Sequence, residues 1–89
     1  MAWAIEFAPD VAHDLHGLDR PVRERILRFI HERLVSLDDP RTIGEALKGQ
    51  RFGNLWHYRV GDYRVIAELV DARLVILVVS IGHRREVYR

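Results

Sequence analysis

The order of apolar and polar residues in the N-terminal half of the chain predicts two helices. Residues 11–18 carry apolar side chains at helical spacing over a short stretch, and residues 22–37 carry a continuous apolar stripe. Asp19 is placed to cap the second helix, and Asp38–Asp39–Pro40 ends it. Neither helix can bury its apolar face alone, so we expect the two to form a hairpin that packs on a sheet.

The remaining segments have the patterns of strands. Residues 2–7 alternate between apolar and polar, and residues 55–60 and 63–70 flank Gly61–Asp62, a two-residue loop typical of a β-hairpin. Residues 74–79 are an unbroken apolar run, which favours a central strand. The sequence therefore predicts an α+β fold of order β-α-α-β-β-β, with an N-terminal helix hairpin packed on a mainly antiparallel four-stranded sheet.

A two-residue loop also fixes how the two strands of the hairpin pair. Val60 is expected opposite Tyr63, and Arg59 opposite Arg64. One face then has a core-like character, with Trp56, Tyr58, Val60, Tyr63, Val65 and Ala67, and the other face holds His57, Arg59, Arg64, Ile66 and Glu68. Two arginines directly opposite each other repel. A chain that keeps such a pair is expected to use it to hold an anion.

Length and composition are those of one folded domain over residues 1–89. The chain has 89 residues, 48% of them hydrophobic and 30% charged. No cysteine is present to form a disulfide or a thiolate metal site. The sequence shows neither a membrane-spanning apolar run nor a signal-peptide pattern, which suits a cytoplasmic protein.

The charge is distributed unevenly although its net value is only +1. Residues 1–47 carry six arginines against nine acidic residues, whereas residues 48–89 carry eight basic residues against four acidic ones. The basic half contains the hairpin and the tail. This suits a polyanion bound by one end of the molecule, and a solvated surface is the alternative.

The predicted topology gathers basic and polar side chains at one end of the sheet. The last strand runs antiparallel to the strand before it, so residues 80–82 return to the level of Arg64 and the tail begins there. The cluster would comprise His57, Arg59, Arg64, His83, Arg84, Arg85 and Tyr88. The loop at residues 41–54 adds Lys48 and Arg51. We count Lys48, Arg51, His83 and Arg85 as candidate substrate-binding residues.

These residue types permit phosphate chemistry. Arginines bind phosphate oxygens in a bidentate manner and can stabilise a pentacoordinate transition state. A histidine among arginines should stay neutral near pH 7 and can act as a base. A glycine-rich phosphate loop and an HExxH pattern are both missing from the sequence. In the alternative, structural interpretation, the arginines pair with Asp62, Glu68 or Glu86 and the aromatic residues belong to the core.

Three parts of the sequence resemble the RelE family of bacterial toxins. They are Leu47–Lys48–Gly49, the hairpin from Leu55 to Ile66, and the tail Gly82–His83–Arg84–Arg85–Glu86–Val87–Tyr88. The N-terminal Ile5–Glu6–Phe7–Ala8–Pro9 is also similar, so the resemblance covers the whole chain. The hairpin and the tail are its specific parts.

The resemblance implies the toxin of a type II toxin–antitoxin pair in the RelE/ParE superfamily. RelE toxins enter the ribosomal A site and cut mRNA there by attack of the 2′-hydroxyl, with no metal or other cofactor. The products are a 2′,3′-cyclic phosphate and a 5′-hydroxyl. The implied partners are a cognate antitoxin, the ribosome and mRNA. Operator DNA would be bound only through the antitoxin, and no membrane is involved.

The resemblance also implies catalytic roles for individual residues. Arg64 corresponds to the hairpin arginine that grips the scissile phosphate, Arg84 to a tail arginine that stabilises the phosphate or the leaving group, and Tyr88 to a tyrosine that orients the substrate. His57 and Arg59 lie where the best-known member has lysines. Since a histidine can be neutral, the general base stays open between His57 and Tyr88.

Two other functions stay open. ParE-like toxins resemble RelE in fold but poison DNA gyrase, and they generally lack the cluster formed by the hairpin and the tail. The presence of Arg64, Arg84 and Tyr88 therefore favours the endoribonuclease. The third possibility is an inactive member that acts only as the antitoxin's partner in operon autoregulation.

Overall fold

The computed structural model describes residues 3–47 and 55–83. Its helical layer consists of α1 (Val11–His16), α2 (Arg20–Arg28) and a π-helical segment (Phe29–Leu34) that continues α2. Asp19 occupies the N-cap position of α2, as predicted, although its side chain makes no capping hydrogen bond. In these described ranges, no helix is long and apolar enough to cross a membrane.

The sheet has one parallel pair and is otherwise antiparallel. Its order is β1-β5-β4-β3-β2, and β1 runs parallel to β5. The strands are β1 (Ala4–Phe7), β2 (Glu45–Ala46), β3 (Leu55–Val60), β4 (Tyr63–Val70) and β5 (Val75–His83). Short 3₁₀ turns at Pro40–Thr42 and Asp71–Arg73 precede β2 and β5. The α+β prediction is confirmed.

The strand count of four is corrected to five, and the last strand is longer than predicted. The additional strand, β2, lies inside the segment 41–54 that was expected to be a loop, and two residues are too few to show a period of two. Strand β5 extends to His83, beyond the apolar run at residues 74–79. That run lies between β1 and β4, so its predicted interior position is correct.

The core lies between the helical layer and one face of the sheet. The stripe predicted from the sequence supplies Ile26, Ile30 and Leu34, all fully buried, and α1 supplies Val11. They meet Tyr58, Val65, Leu69, Ile76 and Val78 from the sheet. Burying each large aliphatic side chain contributes roughly 1.5–3 kcal/mol. This packing confirms the helix hairpin and fixes which face of the sheet is left for a site.

Tyr58 anchors the segment that leads into β2. Its side chain is 1% exposed, and its hydroxyl donates a hydrogen bond to the Pro40 carbonyl oxygen at 3.0 Å. A Cβ atom added to Gly44 would lie 2.6 Å from Cε1 of Tyr58, so only a glycine lets the backbone approach the ring this closely. The close approach sets Glu45 beside β3.

Candidate functional site

The two hairpin arginines face each other as the sequence predicts. Arg59 pairs with Arg64 and Val60 with Tyr63, across a loop in which Gly61 has φ +62°. A positive φ at the first loop residue alone is the pattern of a type II′ turn, which glycine adopts without strain. The loop therefore fixes the two arginines opposite each other, at positions that alternate with the core residues Tyr58 and Val65.

Arg64 is buried without full hydrogen bonding. Arg64 is only 7% exposed, and its Nη1 donates a hydrogen bond to the Tyr63 carbonyl oxygen at 3.3 Å. In the described part of the chain, Nε of Arg64 has no hydrogen-bond partner. Gly82 lies opposite Arg64 on β5 and contributes no side chain on that flank. A buried guanidinium that lacks a carboxylate is suited to bind an anion.

His57 lies between the arginine pair and β2. It pairs with Glu45 on one side and with Ile66 on the other, and its Nε2 lies 3.8 Å from a carboxylate oxygen of Glu45. Burial is the main cause of a lowered His57 pKa. The carboxylate of Glu45 opposes that effect, and the charges of Arg64 and Arg59 add to it. The lowered pKa has the direction expected from the sequence, but the arginines are the smaller cause.

A cavity of about 230 Å³ opens beside His57. Its walls include Arg59, Glu45 and Arg33, and Arg33 reaches the cavity from the π-helical segment. Glu45 could not be recognised from the sequence because β2 is too short to show a strand pattern. Arg33 could not be recognised because a charged residue on the exposed face of a helix gives no sign of what lies across from it. The cavity combines positive charge with a histidine held neutral by burial.

His83 is at the predicted end of the sheet but on the other face. It pairs with Tyr63, and the two rings meet edge to face with centroids 5.6 Å apart. The reason is a β-bulge at Val79, because Ile66 pairs with Ser80 while Ala67 pairs with Val78. One extra residue reverses the alternation of side chains. The bulge places His83 on the helix side, away from Arg64.

The other predicted site residues lie outside the described residues. They are Lys48, Arg51, Arg84, Arg85 and Tyr88. Their proposed roles stay predictions. Within residues 3–47 and 55–83, no three histidine or carboxylate side chains are grouped so that they could hold a metal ion.

The described residues agree with the alternative, structural interpretation for the aromatic side chains but not for the arginine pair. Tyr58 is a core residue, and Trp56 packs against the core. The guanidinium of Arg41 lies over the Trp56 ring at 5.7 Å from its centroid, and Arg41 also binds Asp71 at 2.6 Å. By contrast, the described residues give Arg59 and Arg64 no ion pair, so the expected pairing with Asp62 or Glu68 is absent there.

The sequence and the fold are both similar to those of known toxins. A family model described as "ParE toxin of type II toxin-antitoxin system, parDE" matches residues 5–88. The mRNA interferase toxin RelE of Escherichia coli is 28% identical over 90 residues, which cover 99% of this chain and 92% of that protein.

Two solved structures share the fold over nearly the whole chain. One is the toxin–antitoxin complex RelBE2 from Mycobacterium tuberculosis, with a TM-score of 0.84 and 20% identity over 97% of this chain and 95% of that chain. The other is the archaeal RelE–RelB complex from Pyrococcus horikoshii, with a TM-score of 0.72 and 27% identity over 97% and 99% of the two chains.

Proposed function

We propose that this protein, which belongs to the ParE toxin family of type II toxin–antitoxin systems and is a RelE-like toxin, is an endoribonuclease that cuts mRNA in the ribosomal A site. The observation that carries the proposal is the buried, incompletely bonded Arg64 next to His57 on the sheet face opposite the helices. The name of the E. coli relative, mRNA interferase, supports the same activity.

The proposed reaction needs a phosphate clamp and a base. Arg64 would hold the scissile phosphate together with Arg84, and either His57 or Tyr88 would take the proton of the 2′-hydroxyl. The 2′-oxygen then bonds to phosphorus while the bond to the 5′-oxygen breaks and that oxygen is protonated. A 2′,3′-cyclic phosphate and a 5′-hydroxyl result. Because DNA lacks the 2′-hydroxyl, only RNA can be cut in this way.

Arg59 and Glu45 have supporting places in this scheme. Arg59 lines the cavity beside His57 and adds positive charge where the transition state gains negative charge. The carboxylate of Glu45, 3.8 Å from His57, would stabilise the imidazolium that forms when the histidine accepts a proton. A histidine with a lowered pKa is neutral at pH 7 and is available as that base.

A cognate antitoxin is the proposed partner that restrains the toxin. The family is defined by toxin–antitoxin systems, and the M. tuberculosis and P. horikoshii proteins of similar fold are described in complexes of this kind. The antitoxin would block the face that carries Arg64 and would alone contact the operator DNA. Because the ribosome is the proposed target, the toxin would act in the cytoplasm.

The test is cleavage of mRNA on programmed ribosomes, read by primer extension and by the chemistry of the new ends. Wild-type protein should cut in the A site and leave a cyclic phosphate, and Arg64→Ala should cut about 10²–10³-fold more slowly. Arg73→Ala is the matched control, because Arg73 is an exposed arginine paired with Glu6 at another part of the sheet. Full activity of Arg64→Ala would remove the proposed site.

The gyrase-poisoning alternative has a separate readout, since the family model takes its name from ParE toxins. Inhibition of DNA gyrase together with intact mRNA on ribosomes would overturn the endoribonuclease proposal. An inactive member would do neither and would not be toxic when expressed without its antitoxin.

A further inference from the structure

A second cationic surface lies beside the proposed active site. It is a groove of about 390 Å³ between the helical layer and the tip of the β3–β4 hairpin. Arg25, Arg28 and Arg33 line it from the helices, and Arg59 lines it from β3. Glu32 is the single acidic residue among the described residues that line it. The groove therefore concentrates positive charge in a chain whose net charge is only +1.

In the described part of the chain, three of the four groove arginines have no carboxylate partner, unlike other arginines outside the groove. Arg20 pairs with Glu24 at 3.0 Å and Arg73 with Glu6 at 3.1 Å, both away from the groove. Among the residues that the structure describes, Arg25, Arg33 and Arg59 form no ion pair. Arg28 reaches Glu32 only at 3.8 Å, with both side chains largely exposed.

Two backbone features lie beside these side chains. The tip of the hairpin passes close to Arg25, since a Cβ added to Gly61 would lie 3.1 Å from its Nη1. The π-helical segment is held by the i→i+5 bond from the Val35 nitrogen to the Ile30 oxygen at 3.3 Å. Arg33 lies in that segment and lines both the groove and the cavity beside His57. The two spaces therefore share Phe29, Arg33 and Arg59 as wall residues.

We propose that this groove binds the phosphate backbone of RNA outside the phosphate that is cut. The inference rests on the proposed function for its source of RNA, the ribosome and its mRNA. Arg25 and Arg28 lie on α2, and Arg33 lies on the π-helical segment that continues it, so the three arginines form a row along the helical layer. Such a row suits a linear polyanion that carries charge at regular intervals.

An acidic peptide segment is the competing occupant, and the lining of the groove disfavours it. Protein–protein interfaces gain their affinity from apolar and aromatic anchors and are depleted of charge at their centre. Among the described residues that line this groove, Phe29 and Val60 are the large apolar ones, beside four arginines. Interfaces with nucleic acids are much more positively charged. The side chains therefore favour phosphate over a folded peptide.

The first experiment measures binding of a labelled 2′-O-methyl oligoribonucleotide, which cannot be cut because its 2′-oxygen is blocked. The test variant is Arg25→Gln/Arg28→Gln, which leaves every residue of the proposed catalytic cavity in place. Its matched control is Arg20→Gln/Arg73→Gln, which removes the same charge from outside the groove. Affinities are measured between 50 and 200 mM salt.

Loss of two phosphate contacts should reduce the slope of log affinity against log salt by about 1.4 for single-stranded RNA. The fall in affinity between 50 and 200 mM salt should then be about sevenfold smaller than for wild type. The control should keep the wild-type slope. Equal slopes for the two double variants would overturn the proposal, because the effect would then reflect net charge alone. The proposal would also be overturned if the groove variant lost binding of a polyglutamate peptide but kept binding of the oligoribonucleotide.

The second experiment separates this inference from the proposed function. On programmed ribosomes, the groove variant should raise KM for cleavage and leave kcat unchanged, since it loses binding and no catalytic group. If wild-type protein fails to cut mRNA but binds the oligoribonucleotide more tightly than the groove variant does, the proposed function is wrong and the groove inference is retained. If cleavage is normal and KM is unchanged in the groove variant, the groove inference fails alone.

Discussion

Replacing Arg64 by methionine separates catalytic from structural roles of this residue. Arg64 is 7% exposed, its Nε has no partner in the described part of the chain, and it faces Arg59 directly. Methionine keeps an unbranched apolar stem in the same space and removes the guanidinium. If the buried charge is kept for function, its loss should stabilise the fold and abolish activity.

The size of the stability change follows from three contributions. Removing a buried, unpartnered donor returns about 1–3 kcal/mol. Relief of the repulsion between the facing arginines adds about 0.2–1 kcal/mol. Loss of the 3.3 Å hydrogen bond to the Tyr63 carbonyl oxygen costs about 0.5–1.5 kcal/mol. The middle values of these ranges give a net gain of about 1.5 kcal/mol, which raises the Tm of a domain of this size by about 6–12 °C.

The assay pairs thermal and denaturant unfolding with single-turnover cleavage on ribosomes. Arg64→Met should cleave about 10²–10³-fold more slowly than wild type. Arg59→Met is the matched control: Arg59 is exposed, so its replacement removes the same repulsion without removing a buried donor, and stability should change by only about 0.5 kcal/mol. Arg64→Met that loses more than about 1 kcal/mol of stability and keeps its activity would assign Arg64 a structural role.

Three further predictions concern the base, its neighbour and the β2 segment. If His57 is the base, His57→Ala should slow cleavage about 10²–10⁴-fold. The wild-type cleavage rate should then rise with pH and level off near pH 7. A rate that rises up to pH 9, together with a larger loss in Tyr88→Phe, would assign the base to Tyr88. The carboxylate of Glu45 holds the His57 pKa up against burial, so Glu45→Gln should move the rise in rate to lower pH, and an unmoved profile would contradict a histidine base. Gly44→Ala places a Cβ 2.6 Å from Cε1 of Tyr58 and should lower the free energy of unfolding by about 1–3 kcal/mol in denaturant titration. A change near zero would show that the backbone at residue 44 moves to accommodate the methyl group.

The hairpin could be predicted in detail because its determinants are local. Gly61–Asp62 between two alternating runs sets a two-residue loop, and the loop length sets the register, so Arg59 opposite Arg64 follows from the sequence alone. The helix hairpin follows from apolar periodicity, and the interior position of residues 74–79 follows from an unbroken apolar run. All of these features depend on residues that are neighbours along the chain.

Features that depend on packing between distant segments could not be predicted. The bulge at Val79 reverses side-chain alternation and sends His83 to the helix face, yet an apolar run reads the same with or without an extra residue. Immediately before β2, the backbone at Gly44 packs on Tyr58, a contact across 14 positions. The tertiary structure alone therefore brings Glu45 and Arg33 to His57. Proximity in a folded core is set by register and packing, which the order of residue types leaves undetermined.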